Sequence, residues 1–295
     1  MKRHTSFLLA FIFGATTLLA QPFNHETQTE KGSPMLLGKI NKEGFSSKDY
    51  EWFSKNYDTY TTDSEAISSI KNNLNDYTIK AFMGTWCGDS KREVPRFYKV
   101  MEKANFPLER FSLIALDRKR EAYKQSPGGE HEGMNIHRVP TFIIYKNGKE
   151  INRIVEEPVS TLEGDLKQIL DGNYTSSYYG VTIVDETIKE MGVEKFRKKS
   201  KKIARQLENK LKNMYELNTY SSVLFLDNRE EEAIAVAKLN LLLFPDEARA
   251  YESLGVKLAQ TGSKEEAITY LEKAIALDPE NKRYKSSLAS ITVEN

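Results

Sequence analysis

A lone cysteine at a strand-to-helix junction limits the folds open to this chain more than any other feature. Cys87 is the only cysteine in 295 residues and stands in Trp86-Cys87-Gly88-Asp89-Ser90. The apolar run Tyr77–Met83 precedes it and a helix-like stretch follows. A run of that length reads as a buried strand. The unpaired N–H groups and positive dipole end of the next helix favour a thiolate, the form that attacks disulfides. Ser90 stands where a second cysteine would complete C-x-x-C, so no internal disulfide can form.

Other runs fit around this junction. In Arg138-Val139-Pro140-Thr141-Phe142-Ile143-Ile144-Tyr145 a proline leads into β-branched and aromatic residues that suit a strand. Asn147-Gly148 predicts a tight hairpin between Thr141–Tyr145 and Glu150–Val155. Phe111–Asp117 is another apolar run of strand length, and with Thr78–Met83 it predicts the buried parallel part of a sheet. Pro95 predicts an interruption in the helix after Cys87.

Over residues 36–172 these motifs resemble the thioredoxin-like family, in a monothiol C-x-x-S form of bacterial secreted or periplasmic type. The resemblance implies an α/β domain with a central mixed sheet flanked by helices, and a cis bond that sets Pro140 opposite Cys87. It assigns Cys87, Ser90 and Pro140 to catalysis and Trp86, Val139 and Thr141 to substrate binding. Trp86 is either a platform for a substrate chain or a packing residue, and the resemblance favours the platform. Dithiol members carry a buried acid six positions before the first cysteine, where this chain has Ala81. Without a resolving thiol to deprotonate, a buried carboxylate only costs desolvation. The two departures together argue for a monothiol site.

Two residues are candidate modulators of the thiol. Asp89 opposes a thiolate by like-charge repulsion, while Lys91, Arg92 and the Ser90 hydroxyl favour it. Ser90 fits equally well as an ordinary first-turn residue. His137, three residues before Pro140, would stabilise the thiolate as an imidazolium; His131 is a weaker candidate, and both also fit solvated loop positions. Four histidines and one cysteine show no zinc spacing, so no metal or cofactor is expected.

At the start of the chain, Lys2 and Arg3 precede an apolar core, Phe7–Phe13, and a second patch ending at Ala20. This predicts a cleaved signal peptide over 1–20 and a periplasmic or secreted mature protein with no stable membrane anchor. An uncleaved anchor fits less well, because Gly14, Thr16 and Thr17 break the apolar core. Residues 21–35 are polar and predict a flexible leader. Met35–Ile40 predicts an edge strand, and Ser64–Leu74 a helix with Ile67, Ile70 and Leu74 on one face. A net charge of +1 gives no global attraction to nucleic acid.

The last third has a different periodicity. Tyr251, Leu254, Gly255, Gly262, Ala267, Leu271, Ala274 and Pro279 match the tetratricopeptide repeat over 248–281. Residues 214–247 carry Leu217, Tyr220, Ala233, Ala237 and Pro245 in the same register, with Ser221 and Asn240 replacing the expected glycine and alanine. Small residues let paired helices approach, and the prolines end each unit. Tyr284, Leu288 and Ile291 predict a capping helix at one end. A helix over 193–213 with Phe196, Ile203, Leu207 and Leu211 caps the other. It carries nine Lys or Arg between Lys195 and Lys212 against Glu208 alone, a face for an acidic partner or anionic lipid, or simply a solvated one. Residues 173–192 read as a linker.

Two functions from different classes follow. In the first, Cys87 forms mixed disulfides with client proteins or small thiols, as an isomerase or monothiol reductase, while the repeats dock a partner. In the second, the chain is a non-enzymatic adaptor built from both domains, with the thiol incidental.

Overall fold

The computed structural model describes residues 23–71, 73–74 and 76–292; the proposed signal peptide lies outside them. Among the described residues six strands form one sheet: β1 (His25–Gln28), β2 (Pro34–Ile40), β3 (Tyr77–Met83), β4 (Phe111–Ala115), β5 (Thr141–Lys146) and β6 (Lys149–Val155). Their order is β1-β2-β4-β3-β5-β6. Only β3 and β4 run parallel, and the other neighbours are antiparallel. The sheet is therefore mixed, and its two central strands are the apolar runs of the sequence.

Period-two alternation gives this sheet two apolar faces. Ile79, Ala81 and Met83 join Leu113, Ala115, Phe142 and Ile144 in the larger core. Phe82, Ile114 and Ile143 point the other way, into a second cluster with Val139, Trp86 and Cys87. Helices α1 (Trp52–Thr59), α2 (Ser64–Ile70), α3 (Gly88–Lys103) and α4 (Leu162–Leu170) complete the domain. Val94, Phe97, Tyr98 and Met101 form the buried stripe of α3, and Phe97 stacks on Phe142 at 4.1 Å. Asn147 and Gly148 both have positive φ, the backbone a two-residue hairpin between β5 and β6 requires.

Helix α3 is continuous, with Pro95 inside it. Proline supplies no N–H to the Lys91 carbonyl one turn earlier. Asn56 Nδ2 donates to that carbonyl instead, at 3.1 Å, which keeps the helix intact where an interruption was expected.

Among the described residues seven helices follow: α5 (Tyr179–Met191), α6 (Val193–Leu207), α7 (Tyr215–Leu226), α8 (Glu230–Leu243), α9 (Ala248–Gln260), α10 (Lys264–Leu277) and α11 (Lys282–Thr292). The pair α9/α10 lies within 248–281 and α7/α8 forms a helical hairpin within 214–247, the stretches read as the second and first repeats. Tyr284 is the buried residue of α11, whose Ile291 packs on the second repeat. Phe196, Ile203 and Leu207 bury α6 against the first.

Several expectations are corrected. The stretch read as a flexible leader contains β1, which pairs with β2, so Met35–Ile40 is not the edge. Backbone pairing does not depend on apolar side chains, and polarity hid the strand. The stretch read as a linker contains α5, because Val181, Val184 and Ile188 share one buried face. Two helices are shorter than read: α6 ends at Leu207 and α2 at Ile70.

Candidate active site

Cys87 is the N-cap of α3, with extended backbone angles, and its side chain is half-buried. Its backbone N–H donates to the Gly84 carbonyl at 2.8 Å, closing the turn that leaves β3. The Val139–Pro140 peptide bond is cis. The Cys87 Sγ lies 3.2 Å from the Val139 carbonyl oxygen and 4.0 Å from Asp89 Oδ2. The thiol hydrogen thus donates to the carbonyl that precedes Pro140. Asp89 is engaged by Arg92 at 3.0 Å, which offsets part of its charge near the sulfur.

The remaining candidate residues surround this pair in different ways. Trp86 Nε1 donates to the Leu116 carbonyl at 2.9 Å, which holds the ring at the domain surface, half-buried. Arg118 lies 6.0 Å over that ring and Tyr123 packs 6.2 Å from it. Ser90 is fully buried, and its Oγ accepts the Gly84 N–H at 3.1 Å. Its observed bond is with the backbone of the turn. Thr141 Oγ1 donates to the Arg138 carbonyl at 2.8 Å, bracing the loop around Pro140.

His137 is not a cationic partner of the thiol. It is buried between domains, its ring edge-on to Tyr178 at 5.8 Å and Tyr220 at 6.1 Å. Burial, helped by Lys124, Arg138 and Arg153, pushes its pKa down to about 3, so the ring is neutral. His131 is also a seam residue: its Nδ1 accepts the Ser126 N–H at 3.0 Å, and its Nε2 lies 3.8 Å from Asp227.

The loop from Gln125 to Arg138 that carries these histidines also docks the helical region. Gln125 Nε2 donates to the Leu226 carbonyl, and Arg229 Nη1 to Asn135 Oδ1, each at 2.9 Å. Tyr178 donates to Glu156, while Arg138 lies 4.9 Å over the Tyr178 ring and 3.3 Å from Glu156. Sequence reading did not single out Glu156, Tyr178, Lys124 or Arg138. Arg138 adjoins the Val139-Pro140 motif; the others carry no local signal, since folding brings them together from distant segments. Among the described residues, no group of three His, Cys, Asp or Glu is arranged to hold a metal.

A parallel pair at the centre of a mixed sheet, a cysteine at the N-cap of the helix that follows, and a cis-proline loop against its sulfur define a thioredoxin-like domain. A stretch of 89 residues is 34% identical to Thioredoxin Asp f 28 of Aspergillus fumigatus, spanning 30% of this chain and 73% of that protein. Thioredoxin-1 of Schizosaccharomyces pombe is 28% identical over 86 residues, 29% of this chain and 74% of that protein. The chain belongs to the thioredoxin family. Residues 248–281 match the tetratricopeptide repeat family. It therefore joins a redox-type domain to repeats of the kind that bind proteins.

Proposed function

We propose that this protein carries out thiol–disulfide exchange outside the cytoplasm, with Cys87 as its nucleophile. The carrying observation is a half-exposed thiol at a helix N-cap, 3.2 Å from the carbonyl before the cis-proline, in a chain with no second cysteine. The Cys87 thiolate attacks one sulfur of a client disulfide. A bond forms between Sγ and that sulfur, and the other client sulfur leaves as a thiolate. A second thiol, from the client or a small molecule, then attacks the mixed disulfide and releases Cys87 as a thiolate. Disulfide isomerisation by this route leaves the net oxidation state unchanged. The repeats hold the client protein near the thiol.

The test compares wild-type protein with Cys87→Ser in the turnover of a mixed-disulfide substrate with added small thiol, and in capture of clients on non-reducing gels. Turnover and a discrete set of captured proteins, both lost in the variant, are expected. Equal behaviour of the two proteins would leave an adaptor with an incidental thiol. Export is tested separately, by following the full chain into the periplasmic or culture fraction and sequencing its mature N-terminus.

A further inference from the structure

Lys124 is buried, with 5% of its surface exposed, and forms no ion pair among those found in the described residues. Its backbone is held firmly: φ is +62°, its N–H donates to the Asp117 carbonyl at 3.0 Å, and the Asp117 N–H returns to Gln125 at 2.9 Å. Its Nζ donates to the His137 carbonyl and lies 5.0 Å from the centre of the Tyr123 ring. Desolvating an ammonium with only a neutral acceptor is costly, and a lysine so placed calls for a counter-charge.

Cys87 sits at the other end of the same loop. His137, Arg138 and Val139 are consecutive; Lys124 holds the first carbonyl, and Cys87 Sγ faces the last at 3.2 Å. A carbonyl that accepts from S–H stabilises the neutral thiol, and Asp89 also opposes an anion there. The thiolate thus needs a positive group. Arg92 is engaged with Asp89 and Glu93, and Arg138 with Glu156. Arg118 lies 6.0 Å over the Trp86 ring at the surface, whereas Lys124 is buried and holds the loop itself through the His137 carbonyl. Burial and Arg138 lower its pKa to about 7, while Glu156 and Cys87 raise it. Its proton is therefore exchangeable near neutrality.

We propose that Lys124 is a positioning residue of the thiol site, a buried cation that fixes the His137–Val139 loop and balances the Cys87 thiolate. Burial raises the Tyr123 pKa, which keeps that ring neutral near pH 7, and the other charges facing the cluster are Arg118, Arg138, Arg153, Glu156, Asp89 and Arg92. This inference deepens the exchange reading, but its test needs no client.

The rate of Cys87 alkylation is measured against pH in wild type, Lys124→Met and Lys124→Arg. The midpoint should move up in Lys124→Met, with alkylation at pH 7 about tenfold slower, equivalent to about one pKa unit. Lys124→Arg should return it to the wild-type value or below. An unmoved midpoint in Lys124→Met overturns the proposal. So does an equal rise in both variants, which would mean the lysine acts by shape alone. If Lys124→Met fails to fold, the Lys124 amine is titrated by NMR in wild type and Cys87→Ser. A lower lysine midpoint without the thiolate supports the proposal, and equal midpoints refute it. Failure of the exchange reading would show instead as absent turnover with the alkylation shift intact.

Discussion

Ser221 Oγ donates to the Ala233 carbonyl at 2.8 Å, joining α7 to α8 inside the first repeat. One repeat later Gly255 faces the Ala267 carbonyl, and a Cβ built there would lie 3.1 Å from that oxygen and 2.8 Å from Leu271 Cγ. The difference has a partner, because the residue equivalent to Leu271 in the first repeat is Ala237. The first repeat therefore combines serine with alanine, and the second glycine with leucine.

Exchanging these pairs should show coupling. Gly255→Ser is expected to destabilise the protein by about 1–3 kcal/mol through overpacking, and Leu271→Ala by about 2–5 kcal/mol through a cavity. The double variant should lose less than the sum by more than about 0.5 kcal/mol. Urea denaturation of all four proteins measures this, and strict additivity would refute the pairing.

The Asn56 bond to the Lys91 carbonyl makes a second prediction. Asn56→Ala removes the donor that replaces the missing Pro95 N–H, and also the bond to the Trp52 carbonyl at 2.8 Å. A loss of about 1–2 kcal/mol is expected, read as a lower urea midpoint at unchanged slope. In a Pro95→Ala background the penalty should shrink, since the backbone N–H regained by that substitution then serves the Lys91 carbonyl; an undiminished penalty would contradict this role.

Asp165 is fully buried and accepts four hydrogen bonds, from Val159 N, Ser160 N, Ser160 Oγ and Tyr174 Oη, at 2.7–3.0 Å. Asp165→Asn turns an acceptor-only group into one whose amide faces these donors. A loss of about 3 kcal/mol is expected, measured by thermal and urea unfolding. A change within about 0.5 kcal/mol would show that the carboxylate is not needed.

What could be read from residues alone followed the range of the interactions. The alternating runs of β3, β4 and β5, the Asn147-Gly148 turn and the 34-residue register of the repeats are written in neighbouring residues. The placement of Cys87 against the loop before Pro140 is legible because each residue sits in a recognisable local motif. His137 was misplaced because nothing near it in the chain reveals that Tyr178 and Tyr220 enclose it. The strand His25–Gln28 was hidden by its polar side chains, since its pairing uses backbone groups alone. Lys124 looks like any surface lysine until the loop closes over it.

The domain seam should make stability depend on acid through His137. Its Nδ1–H donates to the Asn135 carbonyl at 3.3 Å, and its buried Nε2 has no hydrogen-bond partner among the described residues. In the unfolded chain this ring titrates near 6.5, whereas burial holds the folded value at about 3. Between these values the unfolded state binds a proton that the folded state refuses. Stability supplied by the neutral ring is thus complete above about pH 6.5 and is lost as pH falls towards 3, by up to about 1.4 kcal/mol per pH unit. His137→Phe keeps a ring between Tyr178 and Tyr220 but cannot take a proton. The stability of His137→Phe relative to wild type should therefore be constant above pH 7 and improve steadily from pH 6 to pH 4, because other titrating groups affect both proteins alike. Urea unfolding at each pH measures the difference, and parallel curves would mean that the seam opens to admit the proton rather than excluding it.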